Sequence, residues 1–342
     1  MAVATTAPAE SVGQINRARS LLLLLTGNDR SRAWLMPWLA VVVLMGWLWT
    51  LQPGVLTYNG INLTFSAMVP LVVASLAQLV IIAGGDIDLS IGSYIGLVNV
   101  VAATTLVSSP LIGVLCLIGL VLAYAAMGFL IHWRGAPSII VTLGMSFVWL
   151  GIAVVLMPTP RGSSPEYLSR LMNWAPPIIP GCIILIAIVA ALTWWVMART
   201  RLGLLIRSVG SSEAAVQMRG LGTLRIRVLQ YTVAGALGLV SGLALTGITT
   251  AGDPYVAQSY VVLSIAGVIV GGGSFRGGDV SPIGAVGGAL VLGLVGTVMQ
   301  LQGVNANWQV GVQGILLVII LSIRGLGRRL LSGSALSDGV IQ

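Results

Sequence analysis

The sequence predicts an all-α integral membrane protein with about ten transmembrane helices and both termini in the cytoplasm. The 342 residues are 57% apolar and only 8% charged, and the mean hydropathy is +1.00. Soluble globular domains carry about 25% charged residues, so this composition excludes that class. The third observation is a series of apolar segments close to the roughly 20 residues that a helix needs to cross a bilayer.

Ten such segments predict the spans, and glycine, proline or polar residues separate them. In chain order they are 34–51, 62–83, 89–108, 111–131, 138–157, 178–198, 228–249, 260–273, 283–302 and 308–323. The eighth is short and rich in glycine. Since ten spans use about 200 residues, we expect a single membrane domain at 34–330. It lies between a cytoplasmic N-terminal tail, 1–33, and a cytoplasmic C-terminal tail, 331–342.

The placement of arginine predicts the orientation in the membrane. All 17 basic residues are arginine. With the N-terminus inside, only Arg161 and Arg170 fall on the outer side, as the positive-inside rule requires. The formal charge of +8 therefore reflects the orientation of the chain in the membrane. We expect the basic residues to meet the anionic inner leaflet of the bilayer. A nucleic-acid partner is not expected, because it would require basic residues gathered on one soluble surface.

Residue types that carry catalysis or bind metals are scarce. Cys116 and Cys182 fall inside predicted spans, which argues against a disulfide or metal site. His132 is the only histidine, and its place at a span end predicts an interfacial anchor. Without lysine no phosphate-binding loop of the usual type can be built. We expect neither an enzyme nor a chain that binds its own cofactor or metal.

The segment 199–227 is the most polar and basic part of the chain. Ser211 or Ser212 can cap a short helix, and Gly220 can end it in a left-handed conformation. About eight residues would give a helix of roughly 12 Å. Its small, smooth face suits a groove in another protein, and the alternative is an interfacial connector between two spans. The candidate docking residues are Ser212, Glu213, Ala214, Ala215, Met218, Arg219 and Gly220.

A second polar cluster joins the second and third predicted spans. Its motif residues are Gly85, Asp86, Asp88, Ser90 and Gly92. Carboxylates at a membrane edge are costly unless they are solvated or paired. Three interpretations stay open: Asp88 caps the third span, the glycine pair is a hinge with Asp86 or Asp88 bound to cytoplasmic arginines, or the segment dips into the membrane as broken transporter helices do.

Two long loops remain. Residues 158–177 are rich in proline, which predicts a turn-rich external connector without a helix of any length. This loop is either a docking surface or a plain connector. Residues 271–278 contain the run Gly-Gly-Gly-Ser-Phe-Arg-Gly-Gly. So many glycines allow tight backbone geometry and close helix approach.

Four motifs taken together and in this order resemble the permease subunit of ribose-type, monosaccharide ATP-binding cassette importers. They are Gly85-Asp-Ile-Asp-Leu-Ser-Ile-Gly-Ser93, Thr200-Arg-Leu-Gly203, Glu213-Ala-Ala-x4-Gly220 and Gly271-Gly-Gly-Ser-x2-Gly-Gly278. The resemblance covers residues 35–330. It implies about ten helices, a second permease copy or paralogue, an ATPase subunit that binds ATP and Mg, and a periplasmic sugar-binding protein. It also implies that the Glu213–Gly220 helix couples the permease to the ATPase in the bacterial inner membrane.

The resemblance implies a path for sugar between two permeases. Amide and aromatic groups within spans are candidates to line it: Gln78, Asn99, Trp149 and Gln300. The alternative for each is an interhelical hydrogen bond or a packing contact. Related permeases for nucleosides or branched-chain amino acids remain open. A stand-alone secondary transporter is less favoured, because it would place ionisable residues within the membrane.

Overall fold

The structure, a computed structural model, describes residues 34–305 and the single positions 308, 309, 311, 312, 314, 315, 318 and 322. The predicted tails 1–33 and 331–342, and most of the tenth span, lie outside the described residues. The helices are α1 (Leu35–Leu51), α2 (Tyr58–Ser66), α3 (Val69–Ala83), α4 (Ile91–Ala103), α5 (Thr105–Ser108), α6 (Pro110–Arg134), α7 (Ser138–Leu156), α8 (Glu166–Met172), α9 (Gly181–Arg199), α10 (Arg201–Ser211), α11 (Glu213–Met218), α12 (Thr223–Thr249), α13 (Tyr260–Val270) and α14 (Pro282–Leu301).

In the described part of the chain, six spans are long and apolar enough to cross a membrane. They are α4 with α5, α6, α7, α9, α12 and α14, and α2 with α3 would make a seventh if this pair, bent by 45°, is one span. α1 and α13 are apolar but shorter. The described chain is therefore an all-helical membrane protein, and nine of the ten predicted segments contain one of these helices.

Two predicted spans are interrupted. The second, 62–83, is broken between α2 and α3, and Pro70 lies in the first turn of α3. Proline has no backbone N–H and cannot continue a helix, but it fits a first turn. The eighth, 260–273, is helical only over Tyr260–Val270, 11 residues. That length is about 16 Å, roughly half of the hydrocarbon core.

Two helices form the centre of the bundle. Every residue of α3 is buried, and α12 packs against α3, α4 and α6. α13 and α14 pack against each other and against α3. By contrast, α7 exposes large apolar side chains such as Phe147 and Val155. A helix that is apolar on its outer face is stable only against lipid or another apolar partner.

The connector 158–177, predicted to be external, contains a helix, so the expectation of a loop without one was wrong. α8 occupies the stretch between Pro165 and Pro176 that has no proline. A proline preceding a first turn is compatible with helix, whereas one within the helix is not. Glu166 and Arg170, one turn apart, form an exposed ion pair of 2.6 Å.

The connector is also tied to the segment that follows α12. Arg161 and Gly252 exchange two backbone hydrogen bonds of 3.1 and 2.9 Å. The Ser164 N–H donates to the Thr250 carbonyl at 3.0 Å. Since both loops follow long helices at the same end of the bundle, these bonds close that end of α7 and α12.

Candidate functional site

The polar segment 199–227 forms two helices rather than the one predicted. Thr200 caps α10 by accepting from the Gly203 N–H at 3.2 Å, and Ser212 caps α11 by accepting from the Ala215 N–H at 3.3 Å. α11 has 6 residues instead of about eight. Gly220 adopts the expected left-handed conformation, with φ of 73°. The sequence analysis missed α10 because residues 201–211 were read as part of a polar, basic loop with a single short helix further along.

One face of α11 is exposed and apolar. Ala214 and Ala215 are exposed, and Met218 is 82% exposed. On the opposite face Val216 is buried against the membrane domain. A cleft of about 580 Å³ lies beside α11, between α10 and the loop at Gly278. Ala214 and Ala215 thus lie on a surface that another protein can approach closely.

Residues 84–90, here called the α3–α4 loop, are held by side chains from several helices. The Gln78 amide from α3 lies 3.2 Å from both the N–H and the C=O of Asp88 and can bond both. From α7, Ser138 accepts from the Ile87 N–H at 3.3 Å, and Thr142 accepts from the Leu89 N–H at 3.0 Å. The loop therefore follows any movement of these helices.

The Asp88 side chain is buried, and its carboxylate stabilises the α3–α4 loop. One carboxylate oxygen accepts from both the backbone N–H and the hydroxyl of Ser90, each at 2.7 Å. The other accepts from the Tyr124 hydroxyl of α6. Burial raises the pKa of the Asp88 carboxyl, while the bonds from Tyr124 and Ser90 oppose that shift. Asp88 orders the residue preceding α4 and does not cap the first-turn N–H groups of that helix.

Asp86, rather than Asp88, pairs with an arginine. The Arg227 guanidinium of α12 forms an ion pair with the Asp86 carboxylate and donates to the Gly84 carbonyl at 3.2 Å. Its other terminal nitrogen pairs with Glu213 of α11 at 3.1 Å. The Tyr231 hydroxyl also donates to Asp86 at 3.2 Å.

The exposed fraction differs among the side chains of Asp86, Arg227 and Glu213. The side chains of Arg227 and Asp86 are 10% and 11% exposed, and that of Glu213 is 35% exposed. Burial raises the pKa of the Asp86 carboxyl, and the Arg227 charge opposes the shift. A buried carboxylate is stable in its charged form only when a partner such as this arginine compensates for lost solvation.

His132 lies beside the same cluster. Its imidazole is 3.7 Å from the Glu213 carboxylate and 3.5 Å from the Thr223 hydroxyl. The expected interfacial anchor is therefore also a neighbour of α11. Sequence reasoning missed Arg227, Tyr124 and Tyr231 as partners of the acidic motif. A basic residue directly preceding the predicted span 228–249 was the available signal for Arg227.

Glycines bring three backbones together below the α3–α4 loop. The Gly278 N–H donates to the Ala83 carbonyl at 2.9 Å. A Cβ at Gly210 of α10 would lie 2.0 Å from that same carbonyl oxygen. Gly85 and Gly278 have positive φ of 83° and 76°, a conformation that suits glycine. The glycine motifs thus serve close backbone contact.

Gly92 does not lie in the loop but within α4. A Cβ there would come 2.5 Å from the Ala257 carbonyl oxygen. The chain between α12 and α13 therefore approaches α4 at van der Waals distance. This contact positions the half-length helix α13.

The candidate path residues occupy different environments. Asn99 is buried and bonds the Thr246 hydroxyl at 3.0 Å and the Asp253 N–H at 2.7 Å. Trp149 is 3% exposed and packs edge-on against Tyr94 with ring centroids 5.8 Å apart. Gln300 is exposed at the end of α14. Asn99 thus makes the interhelical bond that was the alternative interpretation, and Gln78 bonds the α3–α4 loop. A role in transport stays a prediction for all four residues.

Metal ligands do not gather anywhere in the described residues: they hold no group of three or more histidine, cysteine, aspartate or glutamate side chains. The carboxylates of Asp86, Asp88 and Glu213 are bonded by arginine, tyrosine or serine. This arrangement can transmit force or hold a loop, and it presents an apolar helix outward.

Comparison with known proteins extends these observations. Residues 60–321 match the family described as "Branched-chain amino acid transport system / permease component". The chain is 29% identical to the ribose import permease protein of Escherichia coli (strain K12) over 86% of its length and 94% of the relative. It is 26% identical to the fructose import permease protein of Rhizobium meliloti over 72% of each chain.

A third relative is the autoinducer 2 import system permease protein of Enterobacter sp. (strain 638). It is 26% identical over 86% of this chain and 87% of the relative. No solved structure shows a significant match.

Proposed function

The chain belongs to the family of transport-system permease components, and on this premise we propose that it is the transmembrane permease subunit of an ATP-binding cassette importer for a monosaccharide. The substrate class is a pentose, a hexose or a related polyol. The observation that carries this proposal is the similarity to ribose and fructose import permeases over most of their lengths. The charged, hydrogen-bonded cluster beneath α11 agrees with a subunit that receives motion from the cytoplasm.

The proposed assembly contains several partners. Two permease chains enclose a path through the bacterial inner membrane, a periplasmic binding protein delivers the sugar, and an ATPase subunit binds ATP and Mg. The chain itself has a transport role and binds no cofactor. Both termini lie in the cytoplasm in this scheme, with α8 outside. The lipid bilayer covers the exposed apolar faces of α6, α7 and α9.

Within this scheme α11 is the coupling helix. Ala214, Ala215 and Met218 form its contact face, and Ser212 and Gly220 define its ends. ATP binding closes the ATPase dimer, and α11 passes that motion to the spans as a rigid-body rearrangement. Short, apolar and small side chains suit this task because they allow a close fit without buried polar groups.

One observation favours a second solute class. The matching family is described by branched-chain amino acids, although the relatives above are named for ribose, fructose and autoinducer 2. Uptake of radiolabelled D-ribose, D-fructose and L-leucine by the reconstituted complex separates the two. Saturable uptake of either sugar but not of leucine supports the proposal, and uptake of leucine alone replaces it with the amino-acid importer.

Ala215→Asp tests the coupling helix. It places a carboxylate in the proposed contact, and an unpaired buried charge is very unfavourable. We expect normal membrane insertion, loss of ATPase co-purification and loss of uptake. Ala215→Ser, which keeps a small side chain, should retain both. Normal ATPase binding and uptake by Ala215→Asp would return α11 to the role of an interfacial connector.

A further inference from the structure

Arg227 joins two parts of the chain that are far apart in sequence and differ in exposure. One of its terminal nitrogens pairs with Asp86 on the α3–α4 loop, and the other pairs with Glu213 on α11. Because the planar guanidinium presents several donors in fixed geometry, one arginine can hold two carboxylates at once. The contact is direct at both ends.

On the other side of the α3–α4 loop, the bonds reach deep into the bundle. Asp88, two residues beyond Asp86, is bonded by Tyr124 of α6, and its backbone is bonded by Gln78 of α3. Thr142 of α7 holds Leu89. A displacement of the loop therefore acts on three helices, and α11 presents the exposed side chains of Ala214, Ala215 and Met218.

A second connection between this region and the α3–α4 loop runs through α10 and consists of close backbone contacts. Gly210 of α10 packs directly on the Ala83 carbonyl and on Gly278. This junction allows close contact but contains no bond from α11 itself. The side-chain route through Arg227 is the one that starts on α11 and ends on the α3–α4 loop.

We propose that Arg227 is a positioning residue that locks the coupling helix α11 to the α3–α4 loop, so that a displacement of α11 moves the loop and the helices bonded to it. This inference rests on the proposed function. Arg227 does not contact the ATPase or the sugar in this scheme, and acts through Glu213 and Asp86. The proposal requires both ion pairs, that of Arg227 with Asp86 and that of Arg227 with Glu213.

The experiment uses the full permease–ATPase complex in proteoliposomes, with Cys116 and Cys182 replaced. A single cysteine at Ile139, in the first turn of α7 on the cleft that Asp86 also lines, reports by its rate of maleimide labelling whether the loop and the start of α7 move. The probe is Mg-ATP. The wild-type labelling rate should change when Mg-ATP is added, and co-purification of the ATPase is measured in parallel.

Two variants break one end each: Glu213→Gln and Asp86→Asn. Each should reduce the ATP-induced change in labelling rate by about fivefold or more, the lower bound of typical coupling, when compared at equal amounts of co-purified ATPase. The double variant should be no worse than either single variant, because residues that act in one link are not additive. Asp86→Asn/Arg227→Met removes both buried charges together and avoids an unpaired one. It should show the same loss.

Glu166→Gln/Arg170→Met removes the exposed ion pair of α8 and is the matched control, with wild-type behaviour expected. Arg227→Lys keeps the charge but not the fork, so its response should be intermediate. Wild-type responses in both end variants, or additive losses in their double variant, would overturn the inference and leave the proposed function intact. If the ATPase did not co-purify with the wild-type permease, that result would overturn the proposed function.

Discussion

At the scale of single residues, the two aspartates of one motif serve opposite neighbours. Asp86 pairs with Arg227, which also bonds α11, whereas Asp88 bonds Ser90 and Tyr124 inside the bundle. The motif therefore needs both carboxylates, one to receive the link from α11 and one to order the start of α4.

Asp88→Asn should affect transport more than folding. Asparagine keeps the oxygen that accepts from Ser90, and only the bond from Tyr124 must rearrange. Loss of one bond to a charged group destabilises by about 1.5–3 kcal/mol, so we expect insertion with a lower melting temperature in detergent and clearly reduced uptake. Ser90→Ala, which leaves the charge in place, is the control. Wild-type uptake by Asp88→Asn would limit Asp88 to ordering the loop.

At the scale of elements, close backbone contact joins α3, α10 and the loop before α14. Gly210 lies where the Ala83 carbonyl and Gly278 meet. Side chains at this junction would separate the three segments, and no rotamer change can move a backbone carbonyl aside. Glycine is therefore a packing requirement here, in addition to its use in turns at Gly85 and Gly278.

Gly210→Ala should lower the stability of the permease. The added Cβ would lie 2.0 Å from the Ala83 oxygen, and overpacking of this kind costs about 1–3 kcal/mol. The melting temperature in detergent should fall, and ATPase co-purification should weaken because α11 follows α10 directly.

Gly144→Ala on α7 is the control, since no described heavy atom beyond its own helix lies within 4 Å of the added Cβ. Alanine favours helix by about 1 kcal/mol over glycine, so Gly144→Ala should melt at or above the wild-type temperature. Equal melting of Gly210→Ala and wild type would show that the junction can relax.

At the scale of the whole molecule, outer helices surround a centre that contains the long helix α12 and two shorter helices, α3 and α13. α3 and α13 are shorter than the bilayer core, and both pack with α14 in the interior. Irregular backbone is tolerated at membrane depth only where protein or a water-filled cavity covers it. In the described residues α3 is covered by α9, α12, α13 and α14, and the outer helices α6, α7 and α9 expose apolar side chains.

The orientation can be tested by cysteine labelling in intact cells, in a background lacking Cys116 and Cys182. Ser163→Cys on the external connector should react with a membrane-impermeant maleimide. Ser212→Cys at the start of α11 should react only after the membrane is permeabilised. Both residues are exposed in the structure, so a difference reports the membrane. Labelling of Ser212→Cys in intact cells would contradict the predicted topology and the coupling helix with it.

The sequence alone was sufficient for the membrane class, for most of the span positions and for α11. Composition and the length of apolar segments reflect transfer into lipid, which is a property of each segment by itself. Ser212 and Gly220 marked the ends of α11 for a similar reason, because caps act within a few residues. The resemblance to sugar permeases also came from short motifs, and the relatives agree with it.

Only the tertiary structure decided which charges meet. Arg227 lies 141 residues beyond Asp86 along the chain, and no local pattern couples them. The same holds for Tyr124 with Asp88 and for Gly210 with Ala83. The helices α8 and α10 were missed because proline content at 158–177 and polarity at 199–227 were read as averages over long segments. Pairing of distant groups depends on how helices pack, and burial then makes each pairing obligatory, since a charge in the interior without a partner is unstable.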